Sequence, residues 1–332
     1  MNFDLSGKKV FVTGADGFIG SHLVEKLVAS GADVKALVYY NSWNQIGWLN
    51  DVNTEIINSI EIVNGDVRDA HFITQAQKKS NYIFHLSSLI GIPYSYVAPQ
   101  SYIETNILGA LNIVQGAMEN NAIERILHVS TSEVYGSAQK LPMDENHPLV
   151  GQSPYSATKI GADKIVESFY LSFGLPSVTA RPFNTFGPRQ TARAVIPTII
   201  NQAMNSKEIN LGNLDAKRDF NYVSDTINGM IALILCKEAE GETVNIGSGE
   251  YFSIQEVVEK VSLILSKEIE VKEDQQRIRP EKSEVNALLC DNSKIKRLTN
   301  WQYEHDLDRG LSETIQWIEK NEKYFNNSNY EI

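Results

Sequence analysis

"VTGADGFIGSHL", residues 12–23, decides the fold. Gly14, Gly17 and Gly20 recur at every third position between an apolar strand-like stretch (KKVFVTG, 8–14) and a stretch with apolar residues at helical spacing (FIGSHLVEKLVASG, 18–31). A strand that turns into a helix through glycines so spaced suits a dinucleotide. Gly14 allows the tight turn, Gly17 lets a pyrophosphate approach the backbone, and Gly20 lets the helix sit close against the sheet. The helix N-terminus then faces the phosphates. Phe18 and Ile19, in its first turn, belong to the same candidate cofactor site.

Working outward, apolar strand-like runs recur at 33–40, 60–67, 81–88, 125–130 and 176–184. Helical patterns cover 106–120 and 153–174. Alternating apolar strands and helices predict a parallel sheet covered on both faces. The expected class is α/β: a Rossmann-type doubly wound parallel sheet followed by a smaller α/β C-terminal domain. Beyond residue 184 the pattern is mixed, with helices expected near 193–205, 223–238 and 310–325, and another begun by an N-cap at Ser253. The chain is expected to enter and leave the second domain more than once. Residues 1–180 plus about 220–245 form the first domain, and about 181–219 and 246–332 the second.

A net charge of −11 over 332 residues argues against nucleic acid or an anionic membrane as partner. No apolar run reaches membrane-spanning length. Six of the ten arginines nevertheless fall between 181 and 279, where they suit a small anion. Cys236, expected in the core, and Cys290 have no metal or disulfide spacing, and the six histidines show no ligand pattern, so no metal is expected. The N-terminus runs straight into a strand without a signal-peptide pattern, and a cytoplasmic location is expected.

After the second strand, an acidic residue would favour NAD and a basic one NADP. The stretch LVYYNSWN (37–44) has neither, and Tyr39, Asn41 and Ser42 suit either cofactor. Asp66 and Val67 follow the third strand, placed for an adenine, and Leu86, Ser87 and Ser88 end the fourth.

HVSTSEVYG (128–136) then sets Thr131, Ser132 and Glu133 at a strand end, where glycine, asparagine or aspartate is usual. Downstream, Tyr155 and Lys159 form Y-x-x-x-K, one helical turn apart and on one face. A tyrosine used as a base near neutral pH must lose about three pKa units, about 4 kcal/mol, which a neighbouring ammonium promotes.

TGADGFIG, STSEVYG, YSATK and RPFNTFGPR together resemble the extended short-chain dehydrogenase/reductase family over essentially the whole chain. Hydroxyl–Ser–Glu at 131–133 is similar to nucleotide-sugar 4,6-dehydratases of the GDP-mannose dehydratase kind. The stretches 181–200 and 279–301 are most similar to dehydratases of legionaminic-acid biosynthesis, which act on an N-acetylglucosamine nucleotide. Those enzymes often carry a basic residue where Tyr39 stands, so Tyr39 tips the expectation to NAD, with NADP second.

The resemblance implies a lyase acting on GDP- or UDP-N-acetylglucosamine. Tyr155 takes the 4-OH proton as hydride leaves C4 for the nicotinamide, Thr131 bonds the same oxygen, and Lys159 tunes Tyr155 and holds the nicotinamide ribose. Glu133 removes the C5 proton, and the 6-OH leaves as water, protonated by Glu133 or through Ser132. Hydride returns to C6, giving a 4-keto-6-deoxy sugar. Arg218 and Arg279 are expected on the diphosphate because guanidinium forks match phosphate oxygens. Asn184 is a pyrophosphate contact by resemblance, and Arg189 and Arg193 are further candidates. Helices starting near 104 and 153 imply a homodimer. The competing readings are a UDP-glucuronate decarboxylase, which shares the Ser-Glu, and a nucleotide-sugar 4-epimerase.

Overall fold

In the computed structural model, residues 1–277 and 280–325 are described. Six strands come first: β1 (Lys9–Thr13), β2 (Asp33–Tyr39), β3 (Glu61–Gly65), β4 (Tyr82–His85), β5 (Arg125–Val129) and β6 (Ser177–Pro182). The chain continues through β7 (Asn184–Phe186), β8 (Glu208–Leu211), β9 (Lys217–Arg218) and β10 (Phe220–Tyr222), then returns as β11 (Thr243–Ile246). One seven-stranded parallel sheet runs in the order β11-β6-β5-β4-β1-β2-β3.

Strand alternation divides the core between the two faces of this sheet. Val10 and Val12 point one way, into a cluster with Leu23, Val24 and Leu27 of helix Phe18–Ala29 and with Ile227, Met230 and Ile231 of helix Val223–Leu235. Phe11 points the other way, to Ile113 and Val114 of helix Gly109–Met118 and Val166 of helix Pro154–Phe173. Both faces are covered, which is why the strands read as unbroken apolar runs.

The chain order reverses between β1 and β4, and ligands bind in such sheets at the strands' C-terminal edge, at the reversal. The ends of β1, β4 and β5 meet there, carrying Gly14, Leu86–Ser88 and Ser130–Glu133 respectively.

The helix expected over 106–120 begins earlier. A short helix, Pro99–Tyr102, runs into a π-helical turn, Ile103–Leu108, before Gly109–Met118. The wider turn breaks the 3.6-residue spacing, so periodicity finds only the second half. Cys236 is half-buried at the end of helix Val223–Leu235 and packs against the margin of the core, its thiol 3.3 Å from Leu298 O.

The second half adds β12 (Phe252–Ser253), β13 (Glu270–Glu273) and β14 (Ala287–Leu288). They make small sheets: β10 with β7, β13 with β8, and β9 between β12 and β14. Ser253 caps helix Ile254–Leu265 as expected, in a capping box with Glu256. Asp219 ties this half together. Its carboxylate accepts Ser248 N (2.9 Å), Ser248 Oγ (2.7 Å), Gly249 N (2.9 Å) and Cys290 N (3.1 Å). Asp219→Asn turns an amide N–H₂ toward some of these donors, and urea unfolding is expected to show a loss of about 2 kcal/mol. Among the described residues no helix is long and apolar enough to cross a membrane.

Candidate active site

The glycine loop is built as its spacing predicts. Gly14 has φ +68, and a Cβ there would lie 2.9 Å from Ser87 N. A Cβ on Gly20 would lie 2.0 Å from Gly14 O, so only glycine lets the helix start so close to the strand. Gly17 is the N-cap of helix Phe18–Ala29; among the described residues no side chain caps this helix, and no acidic residue stands in its first turn. The first-turn N–H groups are thus left to an anion, and the cradle fits a dinucleotide pyrophosphate.

The flanking candidates divide. Leu86 N and Ser87 N donate to Thr13 Oγ1 at 3.2 and 3.1 Å, fixing the end of β4 against β1. Ser88 Oγ and Leu89 N both reach Asn106 Oδ1, at 2.9 and 2.8 Å, and Asn106 Nδ2 donates to Thr158 Oγ1 at 3.0 Å. Asn106, inside the π-helical turn, thus joins the β4 loop to the Tyr155 helix, a role with no trace in its sequence context. Val67 is buried, and its carbonyl accepts Asn112 Nδ2 at 2.8 Å. Asp66 is bound by Arg68 Nε at 2.9–3.0 Å. Tyr39 and Ser42 are exposed. Asn41 folds its own loop: Nδ2 donates to Tyr39 O and Gln45 O, and Oδ1 accepts Trp43 N and Gln45 N.

The strand end at 130–133 serves two purposes. Thr131 is the N-cap of the 3₁₀ turn Ser132–Tyr135, its Oγ1 accepting Glu133 N at 3.2 Å. The Thr131 side chain also lowers the Tyr155 phenol, while the Glu133 charge raises it. Ser132 is buried and Glu133 half-buried. Tyr155 is buried and packs edge-on against Tyr102, ring centroids 6.3 Å apart.

Burial raises the Tyr155 phenol above the ordinary tyrosine range, and the Thr131 hydrogen bond pulls it only partly back. The protein alone therefore moves this group opposite to the expected direction, since phenolate loses its water at a buried site.

Lys159 sits one turn on, buried, its Nζ donating to Val129 O at 2.6 Å. Burial lowers its ammonium to about 8, and Asp163 opposes that shift. A fall from the ordinary 10.5 to about 8 means that the folded state pays for the charged form, by about 3 kcal/mol at neutral pH. That cost is full below pH 8 and vanishes above 10.5, the folded and unfolded values. Lys159→Met, which also loses the bond to Val129, is expected to be about 2 kcal/mol more stable than wild type at pH 7 in denaturant unfolding, with a narrowing gap by pH 10.

Beneath Lys159 lies a polar network that the sequence motifs do not reveal. Asp163 Oδ2 accepts Ser130 Oγ (2.9 Å) and both Nε and Nη2 of Arg181 (3.1 and 3.0 Å). Its Oδ1 stands 3.3 Å from His128 Nε2. Burial works against the Asp163 charge, but His128 and Arg181 hold its carboxyl below the usual range. Strand register aligns His85 with Thr13 and with His128. Asp163 lies four residues after Lys159, a signal legible only once both partners on β5 and β6 are known.

The arginines do not act as one cluster. Arg189 is claimed by helix Phe18–Ala29, with Nη1 2.7 Å from Glu25 Oε2 and Nη2 3.1 Å from Glu25 Oε1. Arg218 is buried, donating to Lys217 O and standing 3.5 Å from Glu284. Arg193 is exposed, and its charge acts on Tyr102, beside Tyr155. Arg279 lies outside the described residues. Asn184 Oδ1 is buried with no hydrogen-bond partner among the described residues, which fits a polar ligand contact.

Known proteins resemble this chain over most of its length. The family model described as GDP-mannose 4,6 dehydratase matches residues 11–314. The chain belongs to this family, within the extended short-chain dehydrogenases/reductases. A putative UDP-glucose 4-epimerase of Methanocaldococcus jannaschii is 30% identical over 95% of this chain and 99% of its own. UDP-glucuronic acid decarboxylase 1 of Xenopus tropicalis is 30% identical over 97% of this chain and 75% of its own. The structure of a dTDP-glucose 4,6-dehydratase from Streptomyces venezuelae, solved with NAD, superposes with a TM-score of 0.85 at 26% identity, covering 95% of this chain and 98% of that one. The extended short-chain family thus includes dehydratases, epimerases and decarboxylases of nucleotide sugars.

Proposed function

We propose that the chain is a nucleotide-diphospho-sugar 4,6-dehydratase that converts GDP- or UDP-N-acetylglucosamine to the 4-keto-6-deoxy sugar with NAD held in the glycine loop. The observation that carries this reading is Glu133, set by the Thr131 cap one residue beyond Ser132 in a turn whose first hydroxyl meets Tyr155. A carboxylate beside the tyrosine that deprotonates the 4-OH lets one site take a C5 proton after C4 has been oxidised. Bound NAD supplies the hydride acceptor and a positive charge beside Tyr155.

The chain's own groups do the rest. Tyr155 removes the 4-OH proton, and Thr131 bonds that oxygen. Lys159 holds the nicotinamide ribose from its seat on the Val129 carbonyl. Glu133 takes the C5 proton, which the new ketone acidifies, and the 6-OH departs as water with a proton from Glu133 or through Ser132. Asn184, Arg193, Arg218 and Arg279 meet the diphosphate.

Residues 1–180 with about 220–245 hold the cofactor, and about 181–219 and 246–332 hold the nucleotide sugar. The enzyme works in the cytoplasm as a homodimer through the helices over 99–118 and 154–173, on which Ile103, Leu108, Leu171 and Phe173 stand exposed. The choice of an N-acetylglucosamine nucleotide rests on the resemblance to legionaminic-acid dehydratases. A decarboxylase or 4-epimerase is the second reading, favoured by the names of the relatives above.

The test is mass spectrometry of products from GDP- and UDP-N-acetylglucosamine, dTDP-glucose and UDP-glucuronate. Loss of one water from an N-acetylglucosamine nucleotide supports the proposal. Loss of CO₂ from the glucuronate, or an isomer of unchanged mass, overturns it.

A further inference from the structure

The end of β2 carries Tyr39 and Tyr40, both exposed, where an NAD-binding sheet of this kind usually presents an acidic side chain. The structure brings a carboxylate to that edge from elsewhere. Asp16 stands in the glycine loop between Gly14 and Gly17, and its Oδ2 accepts the N–H of Tyr39 at 3.2 Å. Asp16 is held on its other side as well, since its carbonyl accepts Trp48 N at 3.0 Å. Gly47 packs against it with φ +56, and a Cβ at Gly47 would lie 2.4 Å from Asp16 O. Burial raises the Asp16 carboxyl, and the Tyr39 N–H works against that rise.

The cation at this edge is already neutralised. Arg68 grips Asp66 through Nε, lies 3.6 Å from Glu104, and approaches the Tyr39 hydroxyl at 3.5 Å. A 2′-phosphate arriving at the end of β2 would therefore meet Asp16, Asp66 and Glu104 with one guanidinium already paired among them.

We propose that Asp16 is the residue that selects NAD over NADP, its carboxylate accepting the 2′-hydroxyl of the adenosine ribose and repelling a 2′-phosphate. Asp16 thus takes over, from within the glycine loop, the work of the acidic residue missing after β2. The inference rests on the dinucleotide reading of the glycine loop and not on the sugar chemistry.

The test reads binding rather than turnover. Cofactor is released by acid from purified wild type and from Asp16→Asn, which keeps an acceptor for Tyr39 N–H, and NAD and NADP are quantified by chromatography. Both proteins, freed of cofactor, are also titrated with each dinucleotide while tryptophan fluorescence is followed. Wild type is expected to release NAD and to prefer it in titration, and Asp16→Asn to lower the NAD-to-NADP preference about thirtyfold, in line with a lost hydrogen bond to a charged group. An unchanged preference in folded Asp16→Asn, or a wild-type preference for NADP, overturns the assignment.

Should the variant not fold, wild type titrated with 2′-deoxy-NAD decides. Binding at least tenfold weaker than NAD supports the role of Asp16, and equal binding overturns it. Wild type that binds neither dinucleotide overturns the reading of the glycine loop itself, and this inference with it.

Discussion

Tyr155→Phe is expected to lower kcat by about a thousandfold while leaving the fold and nucleotide-sugar binding intact. The phenol hydroxyl meets the Thr131 side chain, and the ring packs on Tyr102 and Ile92. Phenylalanine preserves that packing and loses only the group that takes the 4-OH proton. Without it, C4 is not oxidised, so the absorbance of reduced nicotinamide should not appear when substrate is added under single-turnover conditions. Burial raises this phenol, and its use as a base therefore depends on charges brought in with the cofactor and on the Lys159 ammonium. With burial lowering that ammonium to about 8, the Lys159 contribution should fade as pH rises through 8, and kcat should fall there in wild type.

Glu133→Gln is expected to separate the two halves of the reaction. Oxidation at C4 needs Tyr155, Thr131 and Lys159, all unchanged, so reduced nicotinamide should form on mixing with substrate. Removal of the C5 proton needs a carboxylate, which an amide does not replace, so loss of water should slow by about a thousandfold. The reduced cofactor should then persist instead of appearing briefly. Full product formation by this variant would remove Glu133 from the mechanism. The amide keeps the backbone N–H that Thr131 caps, so the turn Ser132–Tyr135 should survive.

What was legible in the sequence was what depends on spacing along the chain. Three glycines three apart, Tyr155 and Lys159 one turn apart, and Ser253 at the head of its helix each report a local geometry, and each took the expected form. What was not legible depends on partners far apart in sequence. Arg189 is held by Glu25, 164 residues earlier, a partner that no spacing reveals. Asp163 carries no motif of its own, because only β5 and β6 bring His128 and Arg181 against it. Nothing in the sequence says that the Asn41 amide closes its own loop. Asp16 is not legible for the opposite reason, since an acidic residue is expected at the end of β2 and the carboxylate arrives there from the loop after β1.

The most direct test of the central claim uses GDP- or UDP-N-acetylglucosamine carrying deuterium at C4. A 4,6-dehydratase must move that hydrogen within the substrate, so the product is predicted to be lighter by one water and to carry the deuterium at C6. Deuterium retained at C4 in a product of unchanged mass would contradict the account and identify an epimerase.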